Sequence, residues 1–459
     1  MIETVIEVAF CISTVVTLFI FMLPSQYEPT HKENSHTSGE PKTIAQVLVL
    51  GDIGRSPRMQ YHALSIAQRG GRVDIIGYHD SEVHPGISSN PNISITALPS
   101  YPSLLQTSNK ALFLLCGPMK VLFQVISLWW ILAYRTKPAK WLLVQNPPSI
   151  PTLAIASVVC FFRQTKLVID WHNFGYTILA LKLGDSHPLV RISKWYERVL
   201  CRSAVAHLCV TQAMASVLKK EFRLESPILP LHDRPASDFK PILEERERHE
   251  FLLSLPETSQ VRSLMRDGKV KVIVSSTSWT PDEDFSLLID ALCRYSELSN
   301  TSKPNLPHIL AIITGKGPQR EMYMERISNL QRDGKLHKVT ICTAWLSTGD
   351  YARLLASASL GVSLHTSSSG VDLPMKVVDM FGSGLPVVGW NKFEAWPELV
   401  TEGVDGKGFG SSDELVEQLI DLFGNPEKLE KLRAGARDAS SYRWDDEWTP
   451  IAGKLFGLV

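Results

Sequence analysis

The chain has 459 residues, enough for two or more domains with sizeable cores. Its 47 lysines and arginines balance 47 aspartates and glutamates, a formal net charge of +0, so no nucleic-acid partner is implied. Seven cysteines without a CxxC pair form neither a disulfide framework nor a zinc set, which suits a reducing compartment.

Residues 8–23, VAFCISTVVTLFIFML, carry no charge and with their flanks approach the length of a bilayer-crossing helix. A signal peptide is the rival reading. Glu3 and Glu7 stand where its basic region would be, and no small-x-small cleavage pattern follows. Lys32, Lys42, Arg55 and Arg58 follow the segment and none precedes it, so the positive-inside rule leaves the body in the cytosol. Residues 25–43 are polar and rich in structure breakers, as a linker is.

An apolar run at 47–50 then ends in Gly51-Asp52-Ile53-Gly54-Arg55-Ser56-Pro57-Arg58, and a second run follows at 73–76. The interval has room for a crossover helix, so the unit reads βαβ. Gly51 and Gly54 either admit a ligand close to the backbone or only make a tight turn. The full dinucleotide fingerprint is missing. Arg55 and Arg58 are candidates for a diphosphate, with a neighbouring acid or solvent as the alternative.

Residues 111–135, ALFLLCGPMKVLFQVISLWWILAYR, allow three readings: a second span, a buried helix pair, or a membrane-leaning surface with Trp129, Trp130 and Tyr134 at headgroup depth. Gly117 and Pro118 predict a break, and Lys120 and Gln124 interrupt the apolar run.

Strand-like runs at 140–147, 165–173 and 207–214, with helical stretches at 149–161 and 188–203, complete one α/β layer system. Proline and charge mark an interdomain connection around 232–245. The second half repeats the order: a strand at 270–276, a helix from about 284, then HILAIITGKGP, KVTICTAWLS, YARLLASASLGVSLHTSS and LPMKVVDMFGSGLPVVGW. Two such domains facing each other leave a cleft lined by the carboxyl ends of strands.

The region from Asp372 to Asp379 resembles the helix entry of retaining nucleotide-sugar transferases. Its second acid is aspartate in place of the usual glutamate, and the glycine-phenylalanine-glycine beside the first acid is missing. Taken in order, GDIGRSPRMQYHA, IDWHNFGY, SSTSWTPDEDF, ITGKGP and HTSSSGVDLPMKVVDMFG resemble the chitobiosyldiphosphodolichol beta-mannosyltransferase family over nearly the whole chain. The resemblance implies a GT-B fold: two facing Rossmann-like domains with a cleft between them, plus an N-terminal transmembrane helix. The expected divisions are an anchor at 1–24, a linker at 25–43, an acceptor-side domain at 44–235, a nucleotide-sugar domain at 236–440 and a tail helix at 441–459 that packs back across the boundary.

The same resemblance implies transfer of mannose from GDP-mannose to dolichyl-diphosphate chitobiose, on the cytosolic face of the endoplasmic reticulum membrane. Partners there would include other mannosyltransferases of the pathway. A retaining mannosyltransferase and a noncatalytic membrane scaffold of the same fold are the competing readings. GDP-mannose is α-linked, so a β product requires inversion, a general base on the incoming hydroxyl and stabilisation of the departing diphosphate. No Asp-x-Asp metal motif stands in a convincing context: HDRP has one aspartate, and the acids of PDED suit a helix amino end. The expectation is a site without metal or prosthetic group.

Asp170 and His172 lie two apart on an extended segment and so share a side; they are candidates for base and orienter, or for local bonds that fix the strand corner. Gly315, Lys316 and Gly317 follow a strand and suit either a nucleotide or a tight turn, and Trp345 is a candidate for stacking on guanine. Ser367, Ser368, Ser369 and Gly370 suit phosphate or mannose hydroxyls, Lys376 the donor diphosphate, Asp379 the ribose hydroxyls and Asp372 the mannose or the base role. Helical spacing would also permit a plain Asp372–Lys376 pair.

Overall fold

The computed structural model describes residues 22–29, 41–102, 110–280 and 283–459, with scattered positions between 6 and 20. Most of the expected anchor and of the linker after it lies outside the described residues. The chain divides into two compact units, the first Met1–Cys209, Leu218–Leu229 and Trp448–Val459, the second Val210–Val217 and Pro230–Glu447.

The sheet of the first unit is built on β1 (Ile44–Asp52), β2 (Arg72–Tyr78), β3 (Ile93–Ala97), β4 (Trp141–Asn146), β5 (Lys166–Trp171), β6 (Ala206–Cys209) and β7 (Ile228–Pro230), in the order β3-β2-β1-β4-β5-β6-β7. Strands β1 to β6 pair parallel. Six consecutive residues of β1, 45–50, are buried, the pattern of a central parallel strand covered on both faces. Val47, Leu48 and Val49 are wholly buried, and each stabilises the fold by about 1.5–3 kcal/mol. The chain leaves β1 to one side and returns beside it as β4, so the strand order reverses between these two. In open α/β sheets ligands gather at the carboxyl ends of strands at such a reversal.

The helix Pro57–Gln68 follows β1. Proline at its first position gives up only an N–H that has no helical partner there. Downstream, the helix Lys110–Trp130 runs through Pro118 and continues as a π-helical turn, Ile131–Arg135. The expected break at Gly117–Pro118 does not occur. The proline forfeits one backbone bond, about 3 kcal/mol, and a helix of 21 residues absorbs that loss. Leu128, Ile131 and Leu132 of this segment are buried, while Met119, Leu122, Ile126 and Trp130 are exposed. By length and composition, Cys116–Arg135 is long and apolar enough to cross a membrane.

The second unit carries β8 (Val270–Ser276), β9 (His308–Thr314), β10 (Val339–Ala344), β11 (Leu360–Ser363), β12 (Val387–Trp390) and β13 (Gly406–Phe409), in the order β10-β9-β8-β11-β12-β13, all parallel. Alternate residues feed two cores. Ile273, Ala311 and Ile313 pack on one face of the sheet, and Val272, Val274, Leu310 and Ile312 on the other. Here the reversal lies between β8 and β11.

Candidate functional site

In the first unit the candidate residues converge on Asp170, near the carboxyl end of β5. Asp170 is wholly buried. Arg58, also buried, forks onto it, with Nε 2.8 Å from Oδ2 and Nη2 2.9 Å from Oδ1. His62 lies one helical turn beyond Arg58 and presents Nε2 3.3 Å from Oδ2. His172 brings its Nε2 to 2.8 Å from the same oxygen, on the side that strand alternation predicts. Between them Trp171 turns the other way, buried against Phe174 and Phe222.

Charge and tautomer follow from these contacts. Burial pushes the Asp170 carboxyl up, but the Arg58 guanidinium and then His172 outweigh it and hold the group well below the usual carboxylate range. Asp170 is therefore an acceptor only. The Trp448 indole Nε1 donates to His62 Nδ1 at 2.9 Å, which leaves the His62 proton on Nε2, facing Asp170. Burial holds His62 below its ordinary pKa, so it is neutral. His172 likewise gives its Nε2 proton to the carboxylate. Its Nδ1 makes no hydrogen bond among the described residues, and the side chain is 25% exposed. The arrangement is an oriented imidazole with one ring nitrogen left open.

In the glycine-arginine loop the contacts made are to the chain itself. A Cβ on Gly54 would lie 2.5 Å from the Glu82 carbonyl oxygen, so that glycine serves a backbone approach, while Gly51 meets only ordinary contact. Arg55 is 82% exposed, 3.4 Å from Asp52. Arg58 is committed to Asp170.

In the second unit the candidates gather where β8 and β11 end. Lys376 bonds Glu283 and, at 3.1 Å, Ser278 Oγ. Glu283 is buried, and its other oxygen accepts from Thr277 Oγ1 and the Ser278 N–H, both at 2.6 Å. The helix begins only at Met375, so Asp372 lies outside it and the alternative of an Asp372–Lys376 helical pair does not form. Asp372 instead accepts from His365 Nε2 at 3.2 Å and from Ser367 Oγ. Burial raises its pKa, but the His365 contact prevails and holds it below the ordinary value. Ser367, at φ 57°, also accepts from the Gly370 N–H at 2.7 Å, and the Val371 N–H approaches Ser369 Oγ at 3.4 Å. Ser368 lies in the same turn.

Gly315 and Gly317 are required by the chain itself. A Cβ on either would fall within 2 Å of a carbonyl oxygen, that of Thr277 or of Ser278. Lys316 stands over the Trp345 ring at 3.9 Å, and Trp345 is 66% exposed. Burial, and then Asp233, push the Asp379 carboxyl up to about 8. Among the described residues, no group of three or more His, Cys, Asp or Glu side chains is placed to hold a metal ion.

Sequence reasoning missed His62, Glu283, His365 and Trp448. His62 had a signal, its spacing of four from Arg58 on one helix face. His365 opens the quoted serine stretch. Glu283 and Trp448 act through tertiary contacts that no local pattern carries.

Residues 268–425 match the family model "Glycosyl transferases group 1". The fold is similar to that of a sucrose-phosphate synthase from Thermosynechococcus elongatus, with a TM-score of 0.62 over 91% of this chain and 98% of that one at 12% identity. The chain is 41% identical to "UDP-glycosyltransferase TURAN" of Arabidopsis thaliana, covering 90% of this chain and 97% of the relative. It is 43% identical to the chitobiosyldiphosphodolichol beta-mannosyltransferase of Yarrowia lipolytica, over 97% of this chain and 93% of the other. With the corresponding enzyme of Arthroderma benhamiae the identity is 51%, over 98% of each chain. A match of that depth and length places this GT-B chain in the chitobiosyldiphosphodolichol beta-mannosyltransferase family.

Proposed function

We propose that the chain transfers mannose from GDP-mannose, with inversion, to the chitobiose of dolichyl-diphosphate chitobiose, forming a β-1,4 linkage. The observation that carries the chemistry is the His172 imidazole. Ionised Asp170, itself held by Arg58, fixes the proton on Nε2 and leaves Nδ1 open as the base. The acceptor hydroxyl gives its proton to Nδ1 as its oxygen bonds the anomeric carbon. The bond from that carbon to the diphosphate oxygen breaks, and GDP leaves with the electron pair. Lys376 supplies positive charge to the departing diphosphate, and Ser368, Ser369 and Gly370 offer polar groups to the donor.

Asp372 has both oxygens engaged by its own unit, which favours His365 over Asp372 as a contact to the sugar. Residues 8–23 as the anchor, and the basic residues after them, support attachment to the endoplasmic reticulum membrane with the body in the cytosol.

The test is the purified full chain with GDP-mannose and a chitobiose-diphosphate lipid, followed by linkage analysis. A β-1,4 mannoside is expected; an α linkage, or transfer only from UDP sugars, overturns the reading.

A further inference from the structure

The second unit holds a cavity of about 530 Å³ at the amino-terminal ends of β8 and β11, lined by residues such as Val270, Ser357 and Ser359. It lies at the opposite end of β8 from Lys376 and Glu283, a strand's length of roughly 20 Å away. Its charge is one-sided. Arg246, Arg248, Arg266, Lys271 and Arg433 line it against two carboxylates, Glu245 and Glu430. Of the five, Arg246 is already paired, 2.7 Å from Glu250 at the surface.

The inner groups are only partly satisfied among the described residues. Arg248 Nε and Ser357 Oγ are buried atoms without a hydrogen bond among the described residues. Buried Arg433 gives Nη2 to the carbonyls of Ala358 and Ser359, at 3.0 and 3.2 Å, but its Nε is 3.7 Å from Glu430. Arg437 draws on the same carboxylate, also at 3.7 Å. One glutamate thus serves two guanidiniums and reaches neither within hydrogen-bonding distance. Burial, and then the neighbouring Arg248, lower the Arg433 pKa to about 10. A folded chain that leaves arginines to repel one another in a recess is short of an anion there.

We propose that this cavity binds a phosphorylated small molecule of nucleotide size, with Arg248, Arg433 and Ser357 as inner contacts and Arg266 and Lys271 nearer solvent. Guanidinium groups suit phosphoryl oxygens through paired N–H donors, and the volume falls in the range of small-ligand pockets. Leu252, Met265 and Leu429 supply an apolar wall for the rest of the ligand.

The experiment is calorimetric titration of the full chain with inorganic phosphate, inorganic diphosphate and AMP. Saturable binding of diphosphate or AMP is expected, weakened about tenfold or more by Arg248→Glu and still present in Lys376→Ala, which alters only the donor site. A preference for AMP marks a nucleotide ligand; equal binding of diphosphate marks phosphoryl groups alone. If circular dichroism shows Arg248→Glu misfolded, the double variant Arg266→Glu, Lys271→Glu replaces it with the same expectation. No saturable binding of any probe, binding unaffected by the cavity variants, or binding abolished by Lys376→Ala overturns the proposal.

Discussion

Arg58 and Asp170 form a two-pronged ion pair, Nε to Oδ2 at 2.8 Å and Nη2 to Oδ1 at 2.9 Å, with neither side chain open to solvent. The pair joins the helix after β1 to the end of β5, across the reversal in strand order. It also sets the charge that His172 meets. An arginine that a loop motif suggests for phosphate is here bound to the carboxylate that His172, the proposed base, also contacts.

Removing one partner of such a buried pair leaves the other uncompensated, typically a loss of about 3–5 kcal/mol. Arg58→Ala should therefore lower the urea midpoint sharply, and Arg58→Lys, which keeps the charge and loses the fork, should fall between it and the parent. An Arg58→Ala chain as stable as the parent would show that the fork contributes nothing.

The His172 side chain is partly exposed, so His172→Ala should fold normally. Loss of a general base typically lowers the rate about 10²–10⁴-fold. Asp372→Asn should mainly raise KM for GDP-mannose, through a misplaced His365. Single-turnover assays and donor titrations separate the two effects. Normal transfer by His172→Ala, with an Asp372 variant that binds donor but does not transfer, would reverse the assignment.

Lys376 and Glu283 should behave as a unit. Lys376→Ala should weaken donor use by about 1.5–3 kcal/mol, the scale of a charge-assisted contact. Glu283→Gln keeps the shape and the Thr277 and Ser278 contacts but no longer fixes the ammonium, so it should raise KM less than Lys376→Ala does. Identical donor kinetics in both variants and the parent would leave the pair a structural tie.

Topology is checked in sealed microsomes carrying the full chain. The body should be digested by added protease without detergent; protection would place it in the lumen and remove the cytosolic reading.

The pairing of Asp170 with His172 was legible because an extended chain puts every second side chain on one side. Their remaining partners were not, since Arg58 lies 112 residues from Asp170 and Trp448 lies 386 residues from His62. The two-unit α/β architecture was legible from repeated strand–helix alternation. Gly315 and Gly317 were legible as positions needing close approach, but sequence does not say whether ligand or backbone approaches, and here it is the Thr277–Ser278 backbone. Among the acids of PDED, Asp284 does serve the helix start, accepting from the Ser286 N–H at 3.0 Å, while its neighbour Glu283 turns inward to Lys376. The Asp372–Lys376 pair that helical spacing permits needs a helix already formed at Asp372, and the helix begins at Met375.

Asp379 carries the last prediction. Burial, and then Asp233, push its pKa up to about 8, so the folded chain holds the proton that the unfolded chain releases near 3.8. For a group raised in this way, the stabilising contribution is complete below the unfolded value and is lost as pH rises through the folded one. Stability should therefore decline between about pH 4 and pH 8. Asn is the isostere of the protonated acid, so Asp379→Asn should flatten that decline and raise Tm at pH 8. It should also hold KM for GDP-mannose near the parent value at pH 7, because a neutral acid and an amide can each donate to and accept from ribose hydroxyls. Asp379→Ala should flatten the pH profile equally but weaken donor binding. An Asn variant with the parent's pH slope would show that Asp379 does not titrate here. Parent-like donor kinetics in the Ala variant would remove Asp379 from the donor site.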